Sequence, residues 1–181
     1  MNFKKVYILY ENLMKQFSGA KAVKIDLHIH TPASNCFDSG PLSEKDAYLN
    51  IIKEAIKNDI KIIAITDHNT FAGFNKLKRY LKETSDKEIL LLQKKILVLC
   101  GIEINCFSRH LLAIFDEKFI EEKQNKFLLE IGLTNNCDIA DTYGPAKLLE
   151  IIDNYGGIAI LAHADENNGF LQGMISSKAK D

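Results

Sequence analysis

Imidazole and carboxylate are the protein groups best suited to holding divalent cations at neutral pH. The chain has five histidines, and four of them sit at the ends of short apolar-rich runs. His28 and His30 follow Val23–Leu27, His68 follows Ile62–Thr66, and His163 follows Ile158–Ala162. A further run, Ile96–Cys100, leads into Glu103, and His110 comes seven residues later. Uncommitted histidines would scatter. Imidazoles and a carboxylate gathered at the mouths of several strands describe a metal site, which points to a hydrolase or the remains of one.

Alternation along an extended strand places Asp26, His28 and His30 on one face, with Leu27 and Ile29 on the other. His28 and His30 can then share one metal, with Asp26 a candidate for fixing an imidazole tautomer. In Thr66-Asp67-His68-Asn69, His68 could approach that pair, with Asp67 as orienting carboxylate or ligand. The alternative for Asp67 and Asn69 is a turn or capping role. Glu103 lies between Ile102 and Ile104, where a carboxylate is costly unless it is paired or binds metal. There it could bridge two ions, or it could sit exposed at a strand edge. His110 starts its strand, so it reaches the same mouth only through a hairpin and is otherwise a loop histidine. His163 stands at a tight strand exit between Ala162 and Ala164. Arg109 is either a phosphate contact or a surface arginine.

These groups need a scaffold that delivers strand ends to one place. Strands are expected at Val23–Leu27, Lys61–Thr66, Ile96–Ile104 (broken by Gly101), His110–Phe115 and Ile158–Ala162. Helices are expected over about Glu44–Lys57 behind Ser43, Gly73–Glu83, Asp116–Glu130, and from Gly144-Pro145 to about Tyr155. Gly156-Gly157 ends the last one. A charged amphipathic stretch runs to Lys95, and Gly132–Thr142 is expected to be a loop. Alternating helices and nearly continuous apolar strands imply an α/β fold with parallel strands covered on both sides. Such folds carry their active sites at strand C-termini.

The chain has 181 residues, 46% of them apolar, enough for one domain with a sizeable core. A formal net charge of −1 excludes a strongly basic nucleic-acid surface, though not a local basic groove. Tryptophan is absent. Cys36, Cys100, Cys106 and Cys137 form no CxxC pair, which suits free thiols in a reducing cytosol. The apolar patch Val6–Tyr10 is too short for a signal segment, and nothing approaches a membrane span. A cytoplasmic protein with no membrane partner is expected. Residues 1–22 read as a lead-in, 23–175 as the domain, and 176–181 as a disordered tail.

Taken in order, DLHIHTPAS, ITDHNT, GIEI, RHLLAIF and AILAHAD resemble the PHP (polymerase and histidinol phosphatase) domain from about Lys24 to Asp165. The resemblance implies a distorted, TIM-barrel-like (β/α) barrel with up to three divalent metals, zinc, manganese or iron, at the strand C-termini. It assigns His28, His30 and Glu103 to one metal, His68 to a second, and Glu103, His110 and His163 to a third. DLHIHTPAS followed by a cysteine also resembles the N-terminal PHP module of bacterial PHP–ATPase fusion proteins. Many PHP domains place an Asp or His ligand in the loop after the HxH pair, where this chain has Asn35 and Cys36, with Asp38 another substitute. The family's late Asp-x-His motif is not found before Asp181. The expectation is therefore a barrel incomplete at its C-terminus, in a fragment or with an incomplete site.

The activity implied is metal-dependent phosphoester hydrolysis, with Glu103, His68 and Asp67 as the catalytic candidates. Substrates would be phosphorylated small molecules, nucleotides or nucleic-acid ends. The competing reading is a catalytically incomplete module, structural or regulatory, serving an ATPase or polymerase partner domain. No GxxxxGK[ST] loop occurs in the chain. A metal-dependent amidohydrolase would share the ligands and differ in substrate.

Overall fold

The computed structural model describes residues 22–107, 109–133 and 142–164. The lead-in apart from residue 22, most of the 132–142 loop with Cys137, and the tail at 176–181 lie outside the described residues. The described strands are β1 (Ile25–Ile29), β2 (Ile62–Ile65), β3 (Leu97–Cys106), β4 (Arg109–Phe115) and β5 (Ile158–Leu161). The helices are α1 (Glu44–Lys57), α2 (Ala72–Glu83), α3 (Lys87–Leu92), α4 (Glu121–Glu130) and α5 (Pro145–Asn154). Local chemistry explains several boundaries. Ser43 caps α1 by accepting from the Asp46 N–H, and proline occupies the first turn of α5, where a missing N–H costs nothing.

Strand order follows sequence order, β1-β2-β3-β4-β5. β1, β2 and β3 are parallel, whereas β4 runs antiparallel to both β3 and β5. The all-parallel expectation fails at β4 because the β3–β4 connection is too short for a crossover and closes as a hairpin. That hairpin pairs Asn105 with His110 and Glu103 with Leu112. His110 is thus carried back to the Glu103 end of the sheet.

Among the described residues, helices cover one face of the sheet. All five described helices contribute to one core, through residues such as Tyr48, Ile52, Leu77, Ile89, Phe127 and Ile151, packed on Ile63, Ile65, Ile102, Ile104 and Phe115. The other face holds a small cluster of Ala64, Leu112, Ile114 and Ala162 with Leu27, Leu99 and Ile160, which no helix residue joins among the described residues. The sheet is curled into an incomplete, half-barrel arrangement, so its inner face packs on itself.

β1 begins and ends two residues later than expected, because pairing of Ile25 with Ile62 and of Ile29 with Ile65 sets its register. That register shifts between Asp26 and Ile29. The Ile29 N–H donates to Thr66 Oγ1 at 3.0 Å instead of to a backbone carbonyl. Gly101 does not break β3, which is continuous through it. A Cβ there would lie 2.9 Å from the Ile65 carbonyl, so glycine permits the close β2–β3 approach. The helix expected over Asp116–Glu130 is confined to Glu121–Glu130.

Candidate metal centre

Period-two alternation in β3 sets Glu103 on the inner face with Leu99 and Gly101, since Ile102 and Ile104 face the helices. Its side chain is completely buried. The paired strand β4 delivers His110 to the same face, and β1 delivers His28 and then His30 at its C-terminal end. His68 follows β2, held by a parallel bridge to Glu103 in which the Glu103 N–H donates to the Asp67 carbonyl and the Asn69 N–H to the Glu103 carbonyl. His163 follows β5 with a φ of 47°, left-handed backbone that histidine adopts at some cost.

The five imidazoles close a ring. Centroid separations are 5.1 Å for His28–His30, 4.6 Å for His30–His68 and 5.3 Å for His68–His110. His110–His163 at 5.9 Å and His28–His163 at 4.9 Å complete it. Glu103 projects into this ring, and its two oxygens face different members. Oε2 lies 3.1 Å from His28 Nε2, 3.1 Å from His30 Nε2 and 3.0 Å from His68 Nε2. Oε1 lies 2.7 Å from His110 Nδ1 and 3.5 Å from His163 Nε2.

Despite these distances, neither Glu103 oxygen nor His110 Nδ1 makes an aligned hydrogen bond among the described residues. The atoms converge on shared space instead of on one another. His28 Nε2 and His30 Nε2 are 3.2 Å apart, so with Glu103 Oε2 they form a nearly equilateral triangle. Edges of that size suit ligands about 2.0–2.2 Å from a central cation. Two groups could hold one on this geometry, His28/His30/Glu103 and His68/Glu103/His110, with Glu103 common to both. A third is His30/Cys36/His68. The donor set fits divalent metals. Burial pushes the Glu103 carboxyl up, but the contacts with His110, His28, His30 and His68 overcome it and hold the group far below the usual carboxylate range.

All six expected metal-site residues therefore meet at one mouth, although His163 stands outside the three ligand groups among the described residues. Of the loop alternatives, Cys36 joins a group and is exposed, while Asp38 accepts from the Gly40 N–H in a turn. Asp67 is brought beside the site but into none of the groups. Its carboxylate accepts from the Thr31 N–H (2.7 Å), Thr31 Oγ1 (2.8 Å) and Ser34 Oγ (2.7 Å). Burial raises its pKa, against the lowering effect of those bonds. Asp26 does not meet an imidazole as expected. The register shift turns it out of line with His28, and it accepts the His28 backbone N–H. Arg109 falls on the face of β4 opposite His110.

Sequence reasoning missed Thr31, Ser34, Tyr48 and Gly73. Thr31 Oγ1 lies 3.1 Å from the Tyr48 hydroxyl, whose pKa burial pushes up to about 12. Gly73 opens α2 against this network, where a Cβ would sit 1.8 Å from Asp67 Oδ2. The small polar residues of HTPAS were the one visible signal.

A curled α/β half-barrel with a buried carboxylate inside a ring of histidines at its strand mouths defines a metal-site protein of the (β/α)-barrel type. The PHP domain family matches residues 26–179, and the chain belongs to that family. It is 32% identical over 144 residues to an uncharacterized protein of Methanocaldococcus jannaschii, spanning 78% of this chain and 67% of that protein. An uncharacterized protein of Streptococcus pneumoniae serotype 4 is 26% identical over 187 residues, spanning 94% and 69%. Among solved structures, similarity extends to a candidate metal-dependent phosphoesterase from Bifidobacterium adolescentis (TM-score 0.49, 15% identity, 81% of this chain and 68% of that one). An amidohydrolase from Chromobacterium violaceum, with sulfate bound and no metal, gives a TM-score of 0.48 at 16% identity, covering 80% and 68%. None of the described helices is long and apolar enough to cross a membrane.

Proposed function

We propose that this protein is a metal-dependent phosphoesterase whose centre is organised by Glu103. The observation that carries this reading is the buried carboxylate whose two oxygens face separate sets of histidines without an aligned hydrogen bond to any. His28, His30 and Glu103 would hold one cation, and His68, Glu103 and His110 a second. Cys36, which forms an alternative ligand group with His30 and His68, would add a thiolate beside these sites, and His163 would complete the Oε1 side. Zinc, manganese or iron there would supply Lewis acidity, clamp phosphoryl oxygens and make a water acidic enough to attack near neutral pH.

The chain's own residues do the rest. Glu103 keeps its charge despite its burial, through its contacts with the histidines, and sets the spacing of the cation sites with its two oxygens. Asp67, which is hydrogen-bonded away from the mouth, orients the His30–Ser34 loop instead of meeting substrate. Phosphomonoesters, nucleotides and nucleic-acid ends all present the dianionic or monoanionic phosphoryl group such a centre attracts.

The test is metal analysis of the purified chain followed by assay on phosphomonoester, nucleotide and single-stranded DNA substrates. Expected are bound transition metal and hydrolysis abolished in His28→Ala. Substoichiometric metal with no hydrolysis after metal addition overturns the reading. A second reading, a metal-binding module without turnover serving a partner ATPase or polymerase domain, draws on the sheet of the described residues, whose edge strands β1 and β5 do not pair with each other. Stoichiometric metal without hydrolysis of any substrate would favour it.

A further inference from the structure

We propose that Ser34 is a positioning residue that locks His30 in its Nδ1–H tautomer, leaving the bare Nε2 aimed at the cation site; the proposal rests on the metal-centre reading above. Ser34 is 3% exposed, and its hydroxyl oxygen has three polar neighbours. They are Asp67 Oδ1 at 2.7 Å, the His68 backbone N at 3.2 Å and His30 Nδ1 at 3.2 Å. A hydroxyl has one proton and two lone pairs. Asp67 Oδ1 already accepts from the Thr31 N–H, so it takes the Ser34 proton. The His68 N–H can only donate, and it takes one lone pair.

What remains for His30 is the second lone pair. Nδ1 must therefore carry a proton and donate it to Ser34, which leaves Nε2 without one in the neutral ring. That nitrogen is the atom 3.2 Å from His28 Nε2 and 3.1 Å from Glu103 Oε2. The hydroxyl cannot rotate to offer a different pattern, because Thr31 holds Asp67 through both its backbone N–H and its side chain. One serine hydroxyl thus specifies the ligand atom of His30 and, by accepting the His68 backbone N–H, the placement of His68.

The lock is read directly by long-range 1H–15N correlation spectra of the metal-free protein, at a pH where the rings are neutral. Wild type should show His30 only as the Nδ1–H form. In Ser34→Ala, His30 should become a mixture of tautomers and zinc affinity should fall roughly 10–100-fold, the size seen when a ligand's orienting partner is removed. Ser43→Ala is the control: it deletes the same hydroxyl at the exposed cap of α1, where the partner is Asp46 and not a histidine ring. It should keep the pure tautomer and near wild-type zinc affinity. An Nε2–H tautomer in wild type overturns the proposal. So does Ser34→Ala with unchanged tautomer and affinity, or Ser43→Ala losing affinity as much as Ser34→Ala. Zinc binding by wild type without hydrolysis would count against the phosphoesterase reading alone.

Discussion

Among the described residues, Glu103 is the carboxylate set among five imidazoles, and its burial makes its charge consequential. Its pKa is lowered in the folded chain, so the ionised form stabilises the fold above the ordinary carboxylate value, about 4.3, and that contribution is lost as pH falls. Urea denaturation of metal-free protein should therefore show wild type weakening relative to Glu103→Gln as pH falls below about 4.3. A rise in relative stability on acidification would reverse the sign and discard the assignment. Metal affinity of Glu103→Gln, measured by titration, should drop by more than the roughly 10–100-fold typical of losing an orienting partner. Cys36 permits a second test. A thiolate beside His30 and His68 favours zinc over manganese, and a carboxylate shifts the balance toward the harder ion. Loading Cys36→Asp from an equimolar zinc and manganese mixture should raise its manganese share above wild type. An unchanged ratio would remove Cys36 from the ligand set.

At the level of elements, the site depends on how closely α2 approaches the loop after β1. Gly73 lies in the first turn of α2, and a methyl group there would collide with Asp67 Oδ2 and with Thr31 Oγ1, 2.2 Å away. Gly73→Ala should destabilise the fold by about 3 kcal/mol, the upper end of overpacking costs. Because Asp67 braces Ser34, the same change should weaken metal binding, measured by paired denaturation and metal titration. A stable variant with intact affinity would mean that α2 yields freely. Much of this arrangement could be read from local pattern. Apolar runs ending in His68, Glu103 and His163 mark strand mouths, and the short link from Glu103 to His110 argues for a hairpin. What escaped was tertiary. The register shift after Asp26 is created by a hydroxyl 37 residues away from Ile29, and the Ser34–Asp67 bond spans 33 residues. No periodicity reports either one, so strand alternation points to Asp26 for a role that the Ser34 loop fills. Asp67 reads as a site residue for a reason the pattern could not supply: it braces the loop that aims His30.

The whole molecule divides its labour between two sheet faces. Helices cover one face with nearly the entire apolar core, and the inner face gives its upper half to histidines and Glu103. Buried polar groups placed so densely weaken the metal-free fold, since no apolar packing replaces them. With 23 basic and 24 acidic residues, the chain offers little general field to hold an anion. Attraction for phosphate must then come from cations inside the ring, and the same cations must stabilise the fold that binds them. Ligand present at a thousand times its dissociation constant adds about 4.1 kcal/mol to stability. For a chain of 181 residues, each kcal/mol moves the melting temperature by about 2–4 °C. Saturating zinc should therefore raise Tm by roughly 8–16 °C over chelator-treated protein. His28→Ala should lose much of that gain, and Glu103→Gln nearly all of it, because both cation groups of the ring share Glu103 and only one uses His28. Equal residual shifts in the two variants would show that the two groups bind a single ion, and no shift in wild type would leave the ring without a cation to hold.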